Sequence, residues 1–325
     1  MRTGILICLM SLLLLCGCAK EVDPAEPAPP IAAESGQGIA KENAVTILPE
    51  EVPLVQGFDS GFPTANASGE ATAQCEDAII DYSHTEDGYV MVRFLSATDR
   101  RLKVLVKGPT TTYNYNLVPK QWTVFPLSDG NGDYQIGIYK NIEGSRYSTV
   151  MTATFQVQLV DEFAPFLRPN QYVDYSIGSK TVATGFDITE NIEDPLMKVA
   201  AVYNYVVSHL EYDIQKAQTV QSGYLPVLDQ VLEEGKGICF DYAAVMTAML
   251  RSQQIPCKLV VGYAGTVYHA WISVWTEESG WIDGAIFFDG HVWHRMDPTF
   301  ASSSGSDAQI LEFIQNGNYS AKFLY

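Results

Sequence analysis

From Met151 to Leu159 the chain alternates apolar and polar residues: Met151, Ala153, Phe155, Val157 and Leu159 against Thr152, Thr154, Gln156 and Gln158. Successive side chains of a strand point to opposite faces, so a period of two predicts a strand with one face buried and one wet. Tyr134, Ile136 and Ile138 repeat the signal, and Val90–Phe94 and Lys103–Val106 read as two further strands. Turn chemistry separates them, in Lys107-Gly108-Pro109 and in Asp129-Gly130-Asn131-Gly132-Asp133. Short strands at this spacing predict a small all-β sandwich of Ig-like type over residues 74–161. Tyr113, Tyr115 and Trp122 fit the cover of a sandwich core or a domain contact better than a binding platform.

The pattern then changes period. Asp194-Pro195 offers a carboxylate cap followed by proline at the first helical position. Leu196, Val199, Ala200, Tyr203, Val207 and Leu210 follow at helical spacing and give one apolar face. Shorter helices are expected over Ala183–Ile188 and Val227–Glu233. A further helix starts at Cys239 and carries Ala244, Val245, Ala248 and Met249 as an apolar stripe, until Gln253-Gln254-Ile255-Pro256 ends it. Strand-like runs come next, at Lys258–Tyr263, His269–Trp275, Trp281–Asp283 and Val292–Met296. Helices first and strands after predict an α+β domain with an antiparallel sheet over residues 162–325.

The N-terminal region belongs to neither domain. Arg2 followed by the apolar run Ile5–Leu15 reads as an export signal, too short to span a bilayer. Leu15-Cys16-Gly17-Cys18 resembles a bacterial lipobox, which implies cleavage after residue 17 and a lipid on Cys18. Residues 19–73 are rich in Pro, Ala, Glu, Gly and Ser and poor in aromatics, the composition of a flexible tether. The expectation is an extracytoplasmic protein held to the membrane by its lipid. With 20 basic and 38 acidic residues the chain has a net charge of −18. That charge argues against nucleic acid and against polybasic attachment to anionic lipid. Beyond Cys18, only Cys75, Cys239 and Cys257 remain after the signal, which is not the pattern of a disulfide framework. Cys257 opens an apolar strand and reads as a small buried hydrophobe. A Cys75–Cys257 bridge stays open at this stage.

Cys239 lies in Gly235-Lys236-Gly237-Ile238-Cys239-Phe240-Asp241-Tyr242, a glycine-rich approach to a helix start. The positive end of a helix favours thiolate over thiol, but contributes only about 0.3–2 kcal/mol. An adjacent imidazolium does more. His269, in Tyr268-His269-Ala270-Trp271, opens a strand expected beside this helix. Asp297, in Met296-Asp297-Pro298-Thr299, could accept one ring N–H and hold the imidazole in place. Nucleophile, base and orienting carboxylate are the set a thiol enzyme needs. Taken singly, an inert buried cysteine, a packed histidine and an Asp-Pro turn starter explain each residue; taken together they do not. Asp241, in the same first helical turn, reads as structural. His291 and His294 could join Cys239 and His269 around zinc, but no tight ligand pair accompanies them. No cofactor or metal is expected.

These three motifs together resemble the transglutaminase-like superfamily, papain-like thiol enzymes. Tyr205–Asp213 also looks like that family's helix before the nucleophile, and the resemblance covers roughly residues 165–300. It implies Cys239 as nucleophile, His269 as base and acid, and Asp297 as the group orienting His269. It further implies attack on a glutamine side-chain amide or a peptide bond, giving a thioester resolved by water or an amine. One oxyanion donor would be the backbone N–H of Cys239; Tyr212 and Tyr203 are candidates for a second. The expected partner is a protein or peptide, cell-wall peptide among the possibilities, and hydrolysis is favoured over cross-linking. The rival reading is a non-catalytic cell-surface module that binds peptide or cell-wall material with the same fold.

Overall fold

The computed structural model describes residues 61–265, 267–283, 286–288, 293–295 and 319–325. Cys18 and the tether up to residue 60 therefore lie outside the described residues.

Eight strands come first: β1 (Thr72–Gln74), β2 (Ala78–Asp81), β3 (Tyr89–Phe94), β4 (Leu102–Lys107), β5 (Thr112–Asn116), β6 (Thr123–Pro126), β7 (Gly132–Glu143) and β8 (Arg146–Val157). They form two four-stranded sheets, in the orders β1-β2-β3-β6 and β5-β4-β7-β8, with every pairing antiparallel. Both contribute to one buried core: Ile80, Val92 and Phe94 from the first, Val104, Ile136 and Ile138 from the second. In β8 the alternation holds as read, with Ala153 and Val157 buried and Thr152, Thr154 and Gln156 exposed. Strand β5 was not foreseen. Its Tyr113 and Tyr115 are buried, and both rings pack on Tyr325 from the other end of the chain.

After a 3-10 turn at Ala164–Phe166, the second half opens with helices α1 (Lys180–Asp187), α2 (Pro195–His209), α3 (Ile214–Thr219), α4 (Leu228–Glu234) and α5 (Cys239–Arg251). The Asp194 carboxylate accepts from Leu196 N at 2.8 Å and Met197 N at 3.0 Å, which caps α2 as its sequence foretold. Strands β9 (Glu211–Tyr212) and β10 (Lys236–Gly237) make a short parallel pair beside the start of α5. Then follow β11 (Cys257–Ala264), β12 (Val267–Thr276), β13 (Gly280–Asp283), β14 (Ile286–Phe288), β15 (Trp293–Arg295) and β16 (Tyr319–Leu324). The main sheet has the order β13-β12-β11-β16 and is wholly antiparallel. Helix α5 is buried along nearly its whole length, from Tyr242 to Arg251, and packs against β11 and β12. Helices precede an antiparallel sheet, so this half is an α+β domain, with an all-β region ahead of it. Cys75 and Cys257 are free thiols, so the bridge left open above is not formed.

Candidate active site

The thiol sits where the chain turns from the short β10 strand into α5. Cys239 is the first residue of the helix and is 5% exposed. Its amide N–H belongs to the first helical turn, whose donors have no intrahelical acceptor. The approach is held by Asp241. Its Oδ2 accepts from Ile238 N at 2.8 Å and from Lys216 Nζ at 2.7 Å, and its Oδ1 accepts from the Tyr224 hydroxyl at 2.6 Å. Lys216 Nζ also donates to the Tyr224 oxygen, 2.6 Å away. Asp241 is wholly buried, so its charge is met by a cation, a hydroxyl and a backbone amide. Burial, and then the nearby Asp241 charge, keep the Tyr224 phenol well above its ordinary range. Gly237 makes this packing feasible, because a Cβ there would come within 2.7 Å of the Asp241 Cβ.

His269 lies in β12 opposite Gly262 of β11, and is 4% exposed. Its ring has those of Trp271 and Tyr319 at 6.2 Å between centroids. Gly262 is required here by close approach: an added Cβ would sit 2.1 Å from the Ser320 carbonyl oxygen and 2.9 Å from the Trp271 ring.

Cys239 and His269 line the same pocket. Phe240, Ala270, Tyr268 and Tyr212 share its wall. Of the two tyrosines considered as a second oxyanion donor, Tyr212 lines this pocket, whereas Tyr203 is buried in the core and is not part of the wall. Tyr268 is held above its ordinary pKa mainly by burial, with smaller contributions from Tyr172, Tyr263 and Cys239. Asp297 lies outside the described residues, as does His291.

Three parts of the wall were not read from the sequence. Asn116 reaches the pocket from the end of β5, Gln171 and Tyr172 from the segment joining the domains, and Tyr325 from beyond β16. No periodicity or motif marks these positions, because each gets there by tertiary packing from a distant part of the chain. The aromatic character of Tyr113 and Tyr115 beside Asn116 was the available hint.

Residues 182–284, which hold α1 through β13, match the family model described as Transglutaminase-like superfamily. Residues 182–284 thus carry a transglutaminase-like domain. Among particular proteins, the chain is similar to an uncharacterized protein of Mycobacterium leprae, 30% identical over 154 residues, covering 44% of this chain and 52% of that one. It is also similar to the kyphoscoliosis peptidase of Mus musculus, 29% identical over 143 residues, covering 42% of this chain and 21% of that one. The chain thus spans about half the length of the first relative and about a fifth of the second. Among solved structures, red sea bream transglutaminase matches at a TM-score of 0.29 and 14% identity, over 67% of this chain and 48% of that one.

Proposed function

We propose that the protein is a cysteine-dependent amide hydrolase or acyltransferase that works through Cys239, His269 and Asp297 on a protein or peptide, with hydrolysis favoured. The observation that carries this reading is the convergence of Cys239, at the head of α5, and His269, from β12, on one pocket. The family match over residues 182–284 and the name of the mouse relative, a peptidase, support it.

The chemistry follows from the groups. The Cys239 thiolate attacks the amide carbonyl carbon, and the carbonyl π pair moves onto oxygen. The Cys239 N–H would donate to the resulting oxyanion, and Tyr212, in the same pocket wall, would be the second donor. Loss of one such donor typically raises the barrier by about 2.7–4 kcal/mol. As the tetrahedral species collapses, the C–N bond breaks and the leaving amine takes a proton from the His269 imidazolium. That leaves a thioester on Cys239. Water then gives a proton to His269 and attacks the thioester; the thiolate departs and the carboxylic acid product is released. An amine in place of water would complete transamidation by the same steps. Asp297 would hold the His269 ring in the tautomer both transfers need.

In this reading the lipid on Cys18 holds the protein at the outer side of a membrane, and residues 19–73 let the domains reach peptide substrates there, cell-wall peptide among them. The test is a pair of assays run side by side: cleavage of peptide libraries, and incorporation of a labelled primary amine into a glutamine-containing protein. Cleavage without incorporation is expected, lost in both Cys239→Ala and His269→Ala. Silence in both assays together with measurable peptide binding would overturn the proposal in favour of a binding module.

A further inference from the structure

We infer that the pocket beside Cys239 is a subsite for an uncharged, slim side chain of a peptide substrate, and that Gln171 is a substrate-binding residue that accepts the backbone N–H of the residue filling it. This rests on the thiol chemistry proposed above. It adds the class of substrate and gives the β domain a part in seating it.

The first observation is the absence of charge. Among the described residues the wall holds no Asp, Glu, Lys or Arg. Cys239 and His269 of the reacting pair offset each other's charge, so an ionised side chain entering the pocket would lose water and find no further counterion in the described wall. The cavity volume, counted as room for the centres of water molecules, is about 50 Å3. That enclosed space is small, which favours a slim side chain over a bulky one.

The second observation is an orphaned acceptor. Gln171 is 8% exposed and lies in the wall. Its Nε2 donates to the Asn116 carbonyl oxygen at 2.7 Å. That bond fixes the orientation of the amide, since turning it would set two oxygens against each other. Gln171 Oε1 then faces the other way, buried and without a hydrogen-bond partner among the described residues. A buried acceptor left unmatched in the wall of a pocket is what a substrate N–H would satisfy. The Tyr268 hydroxyl, likewise buried and unmatched among the described residues, stands in the same wall as a second polar contact. Asn116 comes from the end of β5, so the β domain sets where Gln171 points.

The test uses peptide vinyl sulfones that trap the Cys239 thiol, made with Leu, Asn, Asp or Lys at the residue that would fill the pocket. The rate of adduct formation on the full chain is read by intact mass. Leu and Asn probes are expected to react at least about 100-fold faster than Asp and Lys probes. The Asn and Asp pair isolates charge at nearly constant shape, and Lys controls for the acidity of the whole protein. A second series replaces the N–H of that residue by an ester oxygen. The ester is expected to react about tenfold more slowly with the wild type, the ratio of one neutral hydrogen bond, and no more slowly than the amide with Gln171→Met. Equal rates for Asn and Asp, or an ester penalty that survives in Gln171→Met, would overturn the inference. If that variant fails to fold, the two comparisons on the wild type decide alone. Iodoacetamide on the same samples separates the two readings. Rapid alkylation of Cys239 with no discrimination among peptides sinks the subsite only; sluggish alkylation sinks the thiol chemistry and the subsite with it.

Discussion

Asp241 sits two residues beyond the thiol and is the only carboxylate whose position at that helix start is described. An isolated charge there would oppose a thiolate, which is why its partners matter. With Lys216, the Tyr224 hydroxyl and Ile238 N–H bound to it, its charge is matched and the loop that delivers Cys239 is tied to α3 and to the segment before α4. Asp241→Ala should cost about 3 kcal/mol, because it strands a buried amide and leaves a half-buried lysine unpaired. The check is a lower denaturant midpoint at unchanged slope. Cys257 shows the opposite environment. Burial pushes its thiol from the ordinary 9.0 up to about 11, so it stays neutral where Cys239 is proposed to react. Between those values the unfolded chain has released a proton that the folded one keeps, so stability falls as pH rises through that window, by about 1.4 kcal/mol per unit. Buried Tyr115 and Tyr325 add their own alkaline decline, since burial raises both. Subtracting the profile of Cys257→Ala should leave a slope confined to roughly pH 9–11; parallel profiles would contradict the burial argument.

At the scale of elements, local signals and distant ones divide what could be read in advance. Asp194-Pro195 sits next to the helix it caps, so α2 was legible. Helix α1 begins at Lys180, ahead of the apolar run that suggested it, because its cap comes from afar. The Asp229 carboxylate of α4 accepts from Lys180 N at 3.0 Å, Thr181 N at 2.8 Å and Thr181 Oγ1 at 2.7 Å. No local pattern announces such a cap. Strand β16 was missed for a related reason: its partner β11 lies more than fifty residues earlier, and its Ser320, Ala321 and Lys322 are exposed. The wholly buried Arg251 ties these parts together. It donates to the carbonyl oxygens of Cys257 at 2.8 Å, Arg168 at 2.7 Å and Tyr325 at 2.5 Å. Those join the end of α5 to β11, the domain linker and the residue after β16. Arg251→Leu should cost about 3–5 kcal/mol, since it orphans three carbonyls at once, seen as a lower melting temperature. Gly262→Ala should push β16 away from β11 and move the strand that carries His269. The expected result is loss of peptide cleavage in a protein that still shows native far-ultraviolet circular dichroism.

At the scale of the molecule, the two halves share a core rather than a tether. Tyr113 and Tyr115 of the β domain pack on Tyr325, and Tyr115 also packs on Tyr172 of the linker. Aromatic residues of this size, buried on both sides of a boundary, couple the stabilities of the parts they join. One cooperative thermal transition is therefore expected, and Tyr325→Ala should lower it as a whole; two separated transitions in the wild type would refute the coupling. The sequence carried the α+β domain, the sandwich strands with strong alternation and the cysteine and histidine motifs. It did not carry the way Asn116, Gln171 and Tyr325 converge on the thiol, because convergence of that kind belongs to packing between domains. The central claim remains the partnership of Cys239 with His269, and its most direct test is the rate of iodoacetamide alkylation at pH 6. Cys239 in the wild type should outpace a free small thiol by at least about tenfold, and His269→Ala should erase that advantage. A wild-type rate no higher than the small thiol's, or an advantage untouched by removal of the imidazole, would contradict it.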